Sequence, residues 1–118
     1  MTSRPEQQIQ RAVIQHLAWR ARPGAFAFHV PNGGWRSPIE ARIFKSLGVR
    51  SGVPDIIAIR DGRTYALELK ADAGKLTPVQ ATAHVLMREA GCVVGVAVGI
   101  DAALAWLEAH ELLRGRAA

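Results

Sequence analysis

The amino-acid sequence predicts an α/β protein, a mixed β-sheet with helices on both faces, in the order α-β-α-β-β-α-β-α. Three observations predict it. Asp61-Gly62 lies between two runs of strand character, residues 55–60 and 63–70. Both residues tolerate positive φ, so the runs close into an antiparallel hairpin. Ser3 with Glu6, Ser37 with Glu40 and Thr77 with Gln80 are capping-box signatures, each opening a helix. The β-branched run at 92–98 follows the third of these helices and should return parallel within the same sheet by a right-handed crossover.

The first helix is expected from Arg4 to Arg20, with Ile9, Val13 and Leu17 as its apolar stripe, and Pro23-Gly24 ends it. Residues 25–30 read as a strand. Pro31-Asn32-Gly33-Gly34 is a loop that lets backbone approach a ligand closely. Pro38 takes the first position of a short helix that ends before Gly48. After the hairpin, the helix opened by Thr77 stops at Gly91, and the strand at 92–98 contains Gly95. Asp101 is expected to cap a last helix running to about Leu113. The apolar residues of that helix (Leu104, Trp106, Leu107, Leu112 and Leu113 among them) exceed what one sheet face should cover, which predicts a homodimer.

Bulk properties narrow the class. The 118 residues suit a single domain, residues 1–118, and a hydrophobic content of 49% suits a globular one. No apolar run approaches the roughly 20 residues of a membrane span, so no membrane partner is expected. The first turn is polar and unlike a signal peptide, and a cytoplasmic, bacterial or phage-encoded protein is expected. The single Cys92 makes no internal disulfide and is expected to be a buried small hydrophobe. No Cys or His cluster suggests zinc. The net charge of +5 suits a polyanionic partner. Arg36, Arg42, Lys45 and Arg50 precede the hairpin, while Arg4, Arg11, Arg20 and Arg22 lie on or just after the first helix. Both groups are candidate phosphate contacts.

The hairpin carries the chemistry. Counting outward from the turn pairs Arg60 with Arg63, Ile57 with Ala66 and Asp55 with Glu68. Directly opposed residues share a side of the sheet. Lys70, two residues beyond Glu68, shares it too. Ile56, Ala58, Tyr65, Leu67 and Leu69 form the opposite, core face. Two opposed carboxylates repel, and a divalent cation between them is the natural remedy, since carboxylate oxygens suit Mg²⁺ or Mn²⁺. The plainer alternative is a solvated hairpin end.

Pro54-Asp55 followed by Glu68-Leu69-Lys70 resembles the motif of the PD-(D/E)xK nuclease superfamily. The first helix with Glu6, the Val30–Gly34 segment and Gly52 before Pro54 narrow the resemblance to the virus-type replication-repair nuclease (VRR-NUC) domain, over residues 5–100 or so. The resemblance implies a restriction-endonuclease-like fold and a metal-dependent DNA endonuclease using Mg²⁺ or Mn²⁺. Asp55 and Glu68 would be the metal ligands, with the Leu69 carbonyl as a third. Lys70 would orient or activate the attacking water or stabilise the charge on the phosphate. An acidic residue on the first helix completes the metal site in the family, and Glu6 is the position that matches. As the third residue of a capping box it also needs no metal. Gln80 has the same double reading, a site contact in the family pattern and a cap by its own position. Asn32 and Gly33 could contact the DNA backbone, and Trp35 could lie against a sugar or base.

His29 reads as a packed or surface residue, while His16, His84 and His110 read as helix-surface residues. Stand-alone members of the family act as dimers that resolve branched DNA, so four-way (Holliday) junctions are the implied substrate. Two other classes stay open: a non-catalytic DNA-binding module with a nuclease-like fold, and an α/β protein whose acidic hairpin serves an unrelated purpose.

Overall fold

The computed structural model describes residues 4–31, 36–72 and 74–115. Its elements are α1 (Arg4–Arg20), β1 (Phe26–His29), α2 (Pro38–Ser46), β2 (Ile56–Arg60), β3 (Arg63–Lys70), α3 (Pro78–Glu89), β4 (Val93–Val98) and α4 (Ile100–Ala109). The four strands form one sheet in the order β1-β2-β3-β4. The first two pairings are antiparallel, and β3 and β4 run parallel. The α/β class, the mixed sheet and the element order are as the sequence predicts.

Alternation along the strands divides the sheet into two unlike faces. One face carries Ile56, Ala58, Tyr65, Leu67, Leu69 and Ala97, all buried. Against it pack the stripe of α1 (Ile9, Val13, Leu17) and the inner side of α4 (Ala103, Leu104, Leu107), forming one apolar core. Each fully buried aliphatic side chain there contributes about 1.5–3 kcal/mol relative to exposure. Gly95 faces this layer, and a Cβ on it would collide with the Trp106 indole, so the missing side chain lets Trp106 lie on β4. The other face carries Glu68 and Lys70 and is covered in part by α3, whose Ala83 and His84 are buried. Helices therefore flank both faces, but unequally.

The loop before β2 is tied to α3. Gly52 has φ +83, and a Cβ there would stand 2.6 Å from the Val79 carbonyl oxygen. Glycine is needed for both reasons, left-handed backbone and close approach. The contact sets the N-terminus of α3 beside the segment that leads to Asp55.

Several expectations are corrected. The last helix ends at Ala109, not near Leu113, and its N-cap is Gly99 with no side-chain cap, while Asp101 sits in the first turn. Glu111 takes φ 59 and breaks the helix. The Leu112 N–H then bonds the Leu107 carbonyl and turns Leu112 and Leu113 into the core. Leu104, Leu107, Leu112 and Leu113 are thus buried within the fold. Cys92 is half-buried and lies just before β4, not within the core. Ser3, and with it the first capping box, lies outside the described residues. The other two capping boxes are complete, at Ser37–Glu40 and Thr77–Gln80. Among the described residues no helix is long and apolar enough to cross a membrane.

Candidate active site

The hairpin turn sets the site. Asp61 and Gly62 both take positive φ (52 and 76) and lock the register at Arg60 with Arg63, Ile57 with Ala66 and Ile56 with Leu67. One step further out stands Asp55 opposite Glu68. Asp55 is fixed by hydrogen bonds beyond the ladder. Its carbonyl accepts from the Val30 N–H and from His29 Nδ1–H, each at 2.8 Å. Its carboxylate Oδ2 accepts from the Leu69 N–H at 2.7 Å.

Glu68 is 3% exposed. Burial, then the hydrogen bond and the negative charge of Asp55, push its carboxyl up to about 9, while Lys70 pulls the other way and Glu6 adds to the rise. At neutral pH the Glu68 carboxyl is therefore protonated beside Asp55. Lys70 is buried beside them and its Nζ donates to Gln80 Oε1 at 2.9 Å. The same Gln80 oxygen accepts the Thr77 N–H at 3.0 Å. The two readings of Gln80 are thus not alternatives, because one side chain caps α3 and holds the lysine.

The donor set suits a hard cation. Two carboxyl groups close enough to hydrogen-bond can instead share a divalent ion, which takes oxygen ligands and replaces the proton's charge. Glu6 is half-buried on α1 and close enough to act on Glu68 electrostatically. Among the described residues, however, no three His, Cys, Asp or Glu side chains gather into a ready ligand cluster. Asp55 and Glu68 form a pair, and Glu6 stands outside it.

Comparison with solved structures speaks to the family. A VRR_NUC domain protein superposes with a TM-score of 0.71 and 26% identity, covering 96% of this chain and 93% of that one. Over nearly its whole length the chain is similar to a VRR-NUC domain. A second VRR_NUC domain shares the fold, with a TM-score of 0.62 and 20% identity over 90% of this chain and 97% of that one. Hjc, a Holliday junction resolvase of Archaeoglobus fulgidus, matches at a TM-score of 0.49 and 22% identity, over 79% and 67% of the two chains. No family model and no curated protein matches the chain. That similarity supports a nuclease of the PD-(D/E)xK type.

Around this site, the basic residues sort by position. Arg42, Lys45 and Arg50 are exposed on α2 and the loop after it. Lys45 and Arg50 line a groove of about 550 Å³ there. Arg36 is half-buried, stacked over the Phe44 ring at 4.3 Å from its centroid, and donates to the Pro31 carbonyl. Asn32, Gly33 and Trp35 lie outside the described residues. Arg20, grouped by sequence with the candidate phosphate contacts, is corrected: it is 3% exposed, ion-paired to Glu108 at 2.8 Å and bonded to the Arg114 carbonyl. It ties α1 to α4 and has no free face for DNA.

His84 is the residue that sequence reading missed. It is fully buried, with Nε2 at 3.2 Å from Glu68 Oε1. Burial, with the charges of Arg88 and Lys70, lowers its pKa against the opposing pull of Asp55, so it is held neutral. The signal that could have found it is its spacing. Gln80 and His84 are four apart and share one helix face, so a helix that turns Gln80 toward the sheet also turns His84 there.

Proposed function

We propose that this domain is a divalent-metal-dependent endonuclease that hydrolyses phosphodiester bonds in DNA as a single domain over residues 1–118. The observation that carries the proposal is the half-buried Asp55 set against the buried Glu68, with the buried Lys70 beside them. Asp55 and Glu68, with the Leu69 carbonyl, would hold Mg²⁺ or Mn²⁺, and Glu6 would add negative charge from α1. When bound, such a cation supplies Lewis-acid polarisation of a phosphate oxygen and acidifies water toward neutral pH. Lys70, held by Gln80, places a positive charge where negative charge develops on the phosphate. Arg36, Arg42, Lys45 and Arg50 engage phosphates beside the site, and Asn32, Gly33 and Trp35 extend that contact. The intact Asp55, Glu68 and Lys70 set favour this reading over a non-catalytic DNA-binding module. A cytoplasmic place of action suits a DNA partner.

The test is cleavage of supercoiled plasmid and of matched branched and linear DNA. Mg²⁺ and Mn²⁺ are expected to support cutting, and Ca²⁺ to support binding with little turnover because its looser coordination positions water poorly. Cutting that continues undiminished in excess EDTA would rule the mechanism out. Four-way or other branched junctions are the proposed substrates, and equal rates on junction and linear duplex would remove that part.

Coordinated cutting of two strands needs two sites related by symmetry, which a homodimer supplies. The apolar surface for it lies away from α4. Phe26 is 65% exposed and Phe28 and Ile59 share its uncovered sheet face. Ile39, Ile43 and Leu47 form an exposed stripe on α2, which has no buried residue. Light scattering at micromolar concentration is expected to give twice 12.8 kDa. Phe26→Lys with Leu47→Lys should return the mass toward one chain, and a wild-type monomer would end the claim.

A further inference from the structure

Helix α3 meets β3 at two points, and the spacing explains why. Four residues along a helix advance about 6 Å. Two residues along a strand advance about 6.6 Å. Gln80 and His84 therefore stand over Lys70 and Glu68 in step. Gln80 meets the lysine at 2.9 Å and His84 meets the glutamate at 3.2 Å. Of the two imidazole nitrogens, Nδ1 is buried and has no partner among the described residues. A buried N–H without an acceptor is rarer than a bare acceptor. The proton therefore sits on Nε2, the nitrogen that faces Glu68 Oε1, and the bond it makes sets the tautomer.

We infer that His84 is a positioning residue for Glu68, donating Nε2–H to Oε1 and holding the carboxyl in the rotamer that meets Asp55. The inference rests on the metal-dependent reading of the site. A glutamate side chain has several torsions to fix before it can bind a cation. With Oε1 engaged by a buried, immobile imidazole, that ordering is done in the folded protein before any ion arrives. The Thr77 cap and the Gly52 contact fix the start of α3, so the same helix sets both Glu68 and Lys70 of β3. Groups that orient a metal ligand in this way commonly change affinity by about 10–100-fold when removed.

The test uses the full chain with Mn²⁺ as the probe, read by calorimetry, and melting without metal as the control for folding. His84→Leu, which fills the site but has no donor, is expected to weaken Mn²⁺ binding by about 10–100-fold and to leave metal-free melting no lower. His84→Gln, whose amide N–H has comparable reach, should stay close to wild type. A leucine variant that binds Mn²⁺ as tightly as wild type would overturn the inference, as would a glutamine variant that loses as much as leucine. Should the leucine variant fail to fold, the imidazole tautomer of the Mg²⁺-loaded wild type decides by ¹⁵N NMR. A protonated Nε2 supports the inference and a protonated Nδ1 overturns it. Wild-type protein that binds no Mn²⁺ overturns the metal-dependent reading, and the inference falls with it. Tight wild-type binding with an unaffected leucine variant overturns the inference alone.

Discussion

Glu68→Gln is expected to abolish DNA cleavage while making the metal-free protein more stable at alkaline pH. Glutamine keeps the size of glutamate and can still bond His84 and Asp55, so the core around it is undisturbed. It cannot carry the charge that holds a cation. The loss should exceed about 100-fold, the upper range for removing a mere outer partner of a metal ligand. Stability moves in the other direction because of the raised pKa. Burial first, and Asp55 second, lift the Glu68 carboxyl from 4.5 to about 9. A group that binds its proton more tightly in the folded state favours folding when protonated. That contribution is fully present below 4.5 and is lost as pH rises through about 9.

Wild-type protein in EDTA should therefore melt progressively lower across this window, and Glu68→Gln should lack that slope. Cation affinity should show the opposite trend. Because binding releases a proton, Mn²⁺ affinity should rise by up to about tenfold per pH unit below the Glu68 pKa. Melting curves in EDTA and calorimetry at several pH values check both. Parallel melting profiles for wild type and variant would remove the protonated Glu68 carboxyl from the account.

The parts of this site that a sequence can disclose are those fixed by local rules. Asp61-Gly62 determines a turn, the turn determines a register, and period-two alternation then places Asp55, Glu68 and Lys70 on one side and Leu67 and Leu69 on the other. Those residues follow without knowledge of any other element. The limits of α1 follow in the same way from the Ser3 and Glu6 capping signature and the Pro23-Gly24 stop, and its buried face from three apolar residues. What could not be read depends on which element lies across the sheet. His84 is polar, so a search for apolar stripes leaves it on the surface, and only the docking of α3 over Glu68 turns it inward. Arg20 is a surface residue by type, and only its meeting with Glu108 and the chain after α4 buries it. Glu111 carries no mark of its left-handed conformation, so α4 reads as one long helix when the core in fact takes Leu112 and Leu113 from the turn beyond it. Each miss is a long-range packing decision, and two of the three put a charged or titratable group where a hydrophobic pattern has no opinion.

Lys70→Met is expected to lose at least about 100-fold in cleavage, the scale for removing one group that stabilises transition-state charge, while DNA binding in Ca²⁺ persists. Methionine retains the apolar stem that packs in the buried position and deletes the ammonium that Gln80 holds at 2.9 Å. The fold should tolerate it, because Gln80 Oε1 still accepts the Thr77 N–H and keeps α3 capped. Lys70→Arg divides the two remaining roles. Guanidinium keeps the positive charge but does not release a proton in proteins, so it can stabilise a phosphate and cannot act as a base. Measurable cutting by the arginine variant, with none by methionine, would assign Lys70 an electrostatic role. Equal loss in both, with DNA affinity and melting temperature unchanged, would favour proton transfer to Lys70. Full activity in the methionine variant would take Lys70 out of the reaction and leave the carboxyl pair to account for it alone.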